Sequence, residues 1–320
     1  MKKDEKGEEE RVKVKLLYLA KDTQSFVDRN YSYLEQELAN HCKLIIWRRP
    51  AHITSVLRKM DKEPSMIFIV NDIGSRMEPM VKGLANINIP VAMVVNDVHR
   101  FSKLRKRYIE KNKIRHLFSV VRDQFSEIYP EYASNMWWFP HHVETSVFQE
   151  EPLEKTIDFL MMGAVNDYYP LRRKILKTFA ADQRFVYHPH PGYRSFNKND
   201  QERFFIGRKY VQEINRAKIF FTSPSILRYP VKKYFEVLAC KTLLLAPTFP
   251  ELEDLGFIPG VHFIAVNEDN FKEQAEYYLK NEEERRQISE QGYNFVRKHH
   301  STAIRAKQLF GYLQTIFEKK

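Results

Sequence analysis

Residues 136–163 read MWWFPHHVETSVFQEEPLEKTIDFLMMG, and the way this stretch divides decides how the chain is organised. It starts with an apolar run, 136–139, that Pro140 ends. Residues 143–152 then pass without an apolar period, and a second apolar run, 157–162, closes on Gly163. Short apolar runs bounded by proline, glycine or polar clusters are the pattern of buried strands. The stretch therefore reads as strand, linker, strand, and a similar pattern should extend on either side.

Upstream, residues 12–20, 44–47, 66–70, 91–95 and 116–121 are strand-like, while 31–39, 53–60, 77–85 and 101–112 have helical spacing. Downstream, strands are expected at 185–187, 219–222, 243–246 and 262–265, and helices at 171–180, 210–216 and 231–239. From Asn270 onward the pattern is successive helices, one opened by Glu282, Glu283 and Glu284, whose charges suit a helix N-terminus. Short buried strands alternating with helices build parallel sheets covered on both faces. The expected fold is α/β: Rossmann-like parallel-sheet domains at 11–150 and 151–300, facing a cleft, with a C-terminal helical tail. Residues 301–320 would pack back on the first domain, and residues 1–10 would be a flexible charged tail. Ligands of such sheets bind outside the carboxyl ends of the strands, which makes the cleft the expected site.

Composition narrows the class. The chain has 320 residues, 43% hydrophobic and 29% charged, which fits a globular protein with two cores. No apolar run approaches the ~20 residues of a membrane span, and the N-terminus lacks an apolar leader segment. Cys42 and Cys240 each sit in an apolar stretch, so buried thiols are expected, as in a reducing cytoplasm. The net charge of +11 favours anionic partners: nucleotide phosphates, nucleic acid, an acidic polymer or a membrane face. No Cys/His spacing suits zinc, and no Asp-x-Asp pair is present, so no metal is expected.

Neither half carries G-x-G-x-x-G or G-x-x-x-x-G-K-[ST], and only 10 glycines occur in all. Dinucleotide oxidoreductases and P-loop ATPases are poor fits. Phosphates must then be held by helix N-termini and fixed cations. The segment 229–241, YPVKKYFEVLACK, opens a helix with Pro230 near its first turn. Lys233 and Glu236 share one face of it. The cation suits a diphosphate and the carboxylate suits ribose hydroxyls; a surface ion pair is the plain alternative.

This segment resembles the donor-binding signature of GT-B glycosyltransferases, nearest to the CgeB-like group of spore-maturation and surface glycosyltransferases. Gly163, Pro170-Leu171-Arg172-Arg173, the "P…vdt..F" character of 140–148, and the run from Phe271 through Arg285, Gly292 and His300 to Arg305 are similar to that family in order and spacing. The likeness covers roughly 137–315. It implies a cytoplasmic glycosyltransferase with no cofactor, taking a nucleoside-diphosphate sugar as donor. In that reading Glu236 holds the ribose, Lys233, Arg172 and Arg173 meet the diphosphate, and Gly163 admits the donor. Tyr229 and Thr248 line the donor site. Two positions depart from the pattern. Arg228 stands where many retaining members have a second Glu, and Lys241 replaces the glycine of an "ACG" turn.

In the first half, Asn96, Asp97 and His99 follow a strand, which places them at its carboxyl end. An imidazole or carboxylate there suits general base work on an acceptor, so Asp97 and His99 are the catalytic candidates; a helix cap is the simple alternative. Asn71-Asp72 reads as a cap and turn, with the cleft rim as the alternative, His188-Pro189-His190 as a polar loop near the donor, and His141-His142 as an exposed pair, with a hinge or the cleft floor as the alternative. Other readings stay open at this point: a DNA-modifying transferase or nucleic-acid binder, an inactive sugar-binding scaffold, or a nucleotide-sugar epimerase.

Overall fold

The computed structural model describes residues 14–318; the charged tail expected at 1–10 lies outside the described residues. Among the described residues the first sheet uses β1 (Lys15–Ala20), β2 (Lys43–Trp47), β4 (Met66–Val70), β6 (Val91–Val95), β7 (His116–Ser119) and β8 (Met136–Trp138), with β3 (Ala51–His52) and β5 (Val81–Lys82) pairing separately. The sheet order is β2-β1-β4-β6-β7-β8, every pairing parallel. The strands β4 and β6 are buried along their whole length, as a sheet covered on both faces requires. The helices are α1 (Asn30–Leu38), α2 (Ile53–Leu57), α3 (Ser102–Asn112) and α4 (Asp123–Ile128).

The second sheet has the order β10-β9-β11-β12-β13, again all parallel. Its strands are β9 (Ile157–Met162), β10 (Phe185–His188), β11 (Ala217–Phe221), β12 (Leu243–Ala246) and β13 (Ile264–Ala265). Its helices are α5 (Pro170–Thr178), α6 (Lys198–Arg203), α7 (Gly207–Asn215), α8 (Lys233–Ala239), α9 (Pro250–Asp254), α10 (Phe271–Lys280) and α11 (Glu282–His299). Helix α12 (Thr302–Glu318) leaves this domain and packs on α1, putting Ala306, Leu309, Leu313 and Ile316 into the core beneath the first sheet. Their spacing of three and four residues is one helical stripe.

The chain thus crosses between domains twice, and the crossings are bonded together. Val143 N–H donates to His300 C=O (3.0 Å) and Thr302 N–H to Val143 C=O (2.9 Å). Buried Arg305 braces them, donating to the His141 carbonyl and to Nδ1 of His300, whose Nε2 donates to Leu255 C=O at 3.0 Å. His300 is therefore a neutral ring, and burial followed by the Arg305 charge pushes its pKa down to about 3.

Two further contacts hold the domains face to face. Buried Glu251 of α9 accepts from the Arg122 and Asp123 N–H groups (2.8 and 3.2 Å), capping α4 across the interface. On the opposite side, the loop after β1 pairs antiparallel with residues 194–196: Val27 N–H donates to Arg194 C=O (3.1 Å), and Phe196 N–H to Ser25 C=O (2.7 Å).

One expected element is absent. Residues 77–85 form β5 and a short 3-10 turn, Leu84–Asn86, instead of a helix. Pro79 has no N–H to give, and Gly83 sits at φ +82° where a side chain would strike the His52 ring. The apolar spacing is real, since Met77, Val81 and Leu84 are buried, but an irregular segment delivers it. Helix α8 likewise starts at Lys233, with Pro230 in its approach. Cys42 and Cys240 are buried free thiols. No helix among the described residues is long and apolar enough to cross a membrane.

Candidate active site

One cleft is lined by residues following β1, β6, β9 and β10 together with the face of α8. Gly163 comes directly after β9 and donates its N–H to His188 C=O at 3.0 Å. It adopts φ +134°, which L side chains rarely accept, and a Cβ there would lie 3.2 Å from Arg172 Nη1 and 3.4 Å from Lys233 Nζ. Two cations therefore converge over a bare backbone.

Arg172 reaches this point because α5 turns Leu171, Arg172 and Ile175 inward. Its guanidinium stacks on Tyr169, 3.9 Å from the ring centre, and donates to Ser223 C=O (2.5 Å) and Ala164 C=O (3.3 Å). Its Nε has no partner. Burial pulls its pKa down. Lys233 is pulled down to about 8, by burial first and by Arg172 second. Among the described residues neither cation has a carboxylate within ion-pair distance. Two adjacent, half-desolvated cations without an anion form a site for one.

Glu236 lies one turn along α8 from Lys233. Its Oε2 accepts from the Tyr210 hydroxyl at 2.9 Å, and burial raises its pKa despite Lys233. Its remaining acceptor capacity suits hydroxyl donors. Lys232 also lines the cleft but is paired there with Asp28 of the first domain. Burial acts to raise the Asp28 pKa, but Lys232 outweighs it and the carboxyl is held low.

On the opposite wall stand Asn96 and Asp97. Both backbone N–H groups donate to Oδ2 of Asp72 (2.7 and 3.3 Å), and Asp72 forms a fully buried pair with Arg105 at 2.8 Å. Asp72 is thus a support beneath the turn. Asp97 lines the cleft, with Arg100 at 3.5 Å and His99 Nδ1 at 3.6 Å.

The structure brings together Asp97, Gly163, Arg172, Tyr229, Lys233 and Glu236. Three expected residues fall outside. His99 sits behind Asp97, its ring 6.5 Å from that of Tyr229. Arg173 points outward and pairs with exposed Asp167. Thr248 donates to Glu253 at 2.8 Å, on the outer side of the turn into α9. Arg228 is exposed at φ +51° and does not line the cleft. His141 and His190 do line it, and His190 is pushed down to about 4, by burial first and Lys233 second. Asp28, Arg29, Tyr33, Tyr193 and Tyr210 are cleft residues that the sequence reading did not single out. Asp28 and Arg29 stand in the turn that leads into α1, eight and nine residues after β1, so no apolar run marks them. No cluster of three or more metal-ligating side chains occurs among the described residues.

Residues 169–311 match the model of a glycosyl transferase-like family. No curated protein sequence shows significant similarity to the chain. Among solved structures, Anabaena HepE in complex with UDP is similar at a TM-score of 0.63 and 8% identity, over 94% of this chain and 100% of that one. Sucrose-phosphate synthase from Thermosynechococcus elongatus gives 0.61 and 11%, over 96% and 100%. An α-glucosyltransferase solved with UDP and a 13-mer DNA gives 0.59 and 12%, over 92% and 98%. The chain has the GT-B fold, and residues 169–311 of its second half match a glycosyl transferase-like family model.

Proposed function

We propose that this chain transfers a sugar from a nucleoside-diphosphate sugar to an acceptor held against the first domain. One observation carries the reading: Arg172 and Lys233 meet, without a counter-anion, over the bare backbone of Gly163, with Glu236 a turn away. A departing nucleoside diphosphate develops negative charge, and cations fixed beforehand stabilise it without reorganising. Glu236, held by Tyr210, accepts from the ribose hydroxyls. Asp97 is the group of the opposite wall that takes the acceptor proton, with His99 positioning it. The matched family domain at 169–311 supports the reading, and neighbours solved with UDP make UDP the first nucleotide to try. In this proposal the chain's own cations serve the diphosphate, so turnover persists in chelator; activity lost in chelator and restored by magnesium would refute that part.

The test is thermal stabilisation by UDP, GDP, TDP, ADP and CDP. A nucleotide at a hundred times its Kd adds ~2.7 kcal/mol. A shift with one of them that disappears in Glu236→Ala supports the donor site. No shift with any removes it. Turnover of the matching sugar nucleotide then separates an enzyme from a binding scaffold.

A further inference from the structure

Helix α3 begins at Ser102, five residues after Asp97 of the cleft wall, and runs for 11 residues along the first domain, about 16 Å at 1.5 Å per residue. Residues 100–115 hold eight cationic side chains and one carboxylate, Glu110. Three cations are committed: Arg105 to buried Asp72, Lys106 to Glu131, Arg100 to Asp97. The other five, Lys103, Arg107, Lys111, Lys113 and Arg115, are exposed, and among the described residues none has a carboxylate within 4 Å. Lys103, Arg107 and Lys111 are spaced four apart, so they stand in one row at intervals of ~6 Å.

The row does not end on open surface. At the foot of α3, beside the amino ends of β6, β7 and β8, lies a hollow of about 580 Å³ with a mostly apolar lining, Leu84, Ile89 and Trp137 among it, to which Lys113, Arg115 and His116 add charge and polarity. That size is in the range of small-molecule sites. Cleft wall, cationic row and hollow follow one another along residues 97–116, with α3 between the first and the last.

We propose that this face binds the acceptor, and that the acceptor is a phosphodiester-linked polymer lying along α3 with one unit seated in the hollow. The proposal rests on the transferase reading of the cleft. A chain with a negative charge about every 6 Å matches the row in charge and in spacing. A bilayer fits less well. A helix that embeds in lipid needs an apolar face, whereas the apolar face of α3, including Tyr108 and Ile109, is buried in the core and only Leu104 of the helix is exposed, so a bilayer would be held by charge alone.

The test measures binding of the full chain to three probes at several salt concentrations: a mixed-sequence single-stranded oligonucleotide, a glycerol-phosphate polymer, and vesicles rich in phosphatidylglycerol. The variants are Lys103→Gln/Arg107→Gln/Lys111→Gln, Lys113→Ala/Arg115→Ala, and a charge-matched control, Lys272→Gln/Lys280→Gln/Lys298→Gln. At least one polymer should bind, and the α3 triple variant should weaken it at least about tenfold. On a single strand the slope of log K against log salt should fall by about 2, ~0.7 for each cation. The pair in the hollow should weaken binding as well, and the control should not. The polymer that binds more tightly names the source of the phosphodiester. Binding to vesicles alone, an equal loss in the control, or unaltered binding in the α3 variant overturns the proposal. Nucleotide stabilisation, measured on the same variants, should be unchanged, so a failure of the donor site is read separately from a failure of this face.

Discussion

At the scale of single residues, the cleft is organised around Gly163. Substitution Gly163→Ala forces a side chain to φ +134° and drives a methyl into Arg172 and Lys233. Unfolding in urea should show a loss of about 1–3 kcal/mol. Nucleotide affinity should fall by ~tenfold or more, because each 1.4 kcal/mol is a factor of ten. Lys233 sets a pH dependence. In the empty cleft its pKa is about 8 rather than 10.5, and a bound diphosphate favours the ammonium. Affinity should be full below about 8 and decline as pH rises through it, with a proton taken up on binding once the pH exceeds about 8. Calorimetry in buffers of different ionisation enthalpy reads that proton; the same uptake in Lys233→Gln would sink the assignment. Much of this site is legible in the sequence, because Gly163, Asp97, Lys233 and Glu236 lie at set offsets from apolar runs. Choosing Arg172 over its neighbour needs the phase of α5, which Ile175 and Phe179 fix by pointing inward three and seven residues on. The partner of Lys232 is not legible at all, since Asp28 is brought to it by domain packing.

At the scale of elements, the central strands are the most legible parts, because burial on both faces makes β4, β6 and β12 unbroken apolar runs. Residues 77–85 mislead for the complementary reason: their burial comes at helical intervals although Pro79 and Gly83 forbid the helix. The turn that normally carries glycine after α8 shows what that residue is for. Lys241 occupies it at φ +54° and is tied to Glu150 and Glu290. Glu251 joins elements of different domains. Glu251→Ala should cost about 0.5–2 kcal/mol, the range of a lost helix cap, measured by urea unfolding. It should also separate the unfolding of the domains, and a single unaltered transition would argue against the coupling. At the crossing, His142 and His300 are both buried and both depressed, His300 to about 3. The unfolded chain then binds more protons than the folded one below pH ~6.5, so stability falls with acid, by up to ~1.4 kcal/mol per pH unit for each ring. His300→Phe should flatten that slope between pH 6 and 4 in chemical unfolding; an unchanged slope would mean that the ring does not contribute.

At the scale of the molecule, the first domain is discontinuous in sequence. Its core includes Ala306, Leu309, Leu313 and Ile316, contributed after the whole second domain has been laid down. Ending the chain after Ser301 should uncover one face of the first sheet. Such a variant should bind a hydrophobic dye and lose near-ultraviolet circular dichroism from the first domain while the second still melts cooperatively. Retention of a native first domain would show α12 to be dispensable.

The same return of α12 has a consequence for the time at which this protein becomes a protein. On the ribosome, the surface formed by Leu16, Tyr18 and Phe68 is finished by residue 70 with α1 against it, but the rest of its cover, α12, is more than two hundred residues away. At 5–20 residues per second that interval is on the order of ten seconds or more. During it the newborn first domain lacks the part of its core that α12 supplies, and that apolar face is closed only once α12 has been made.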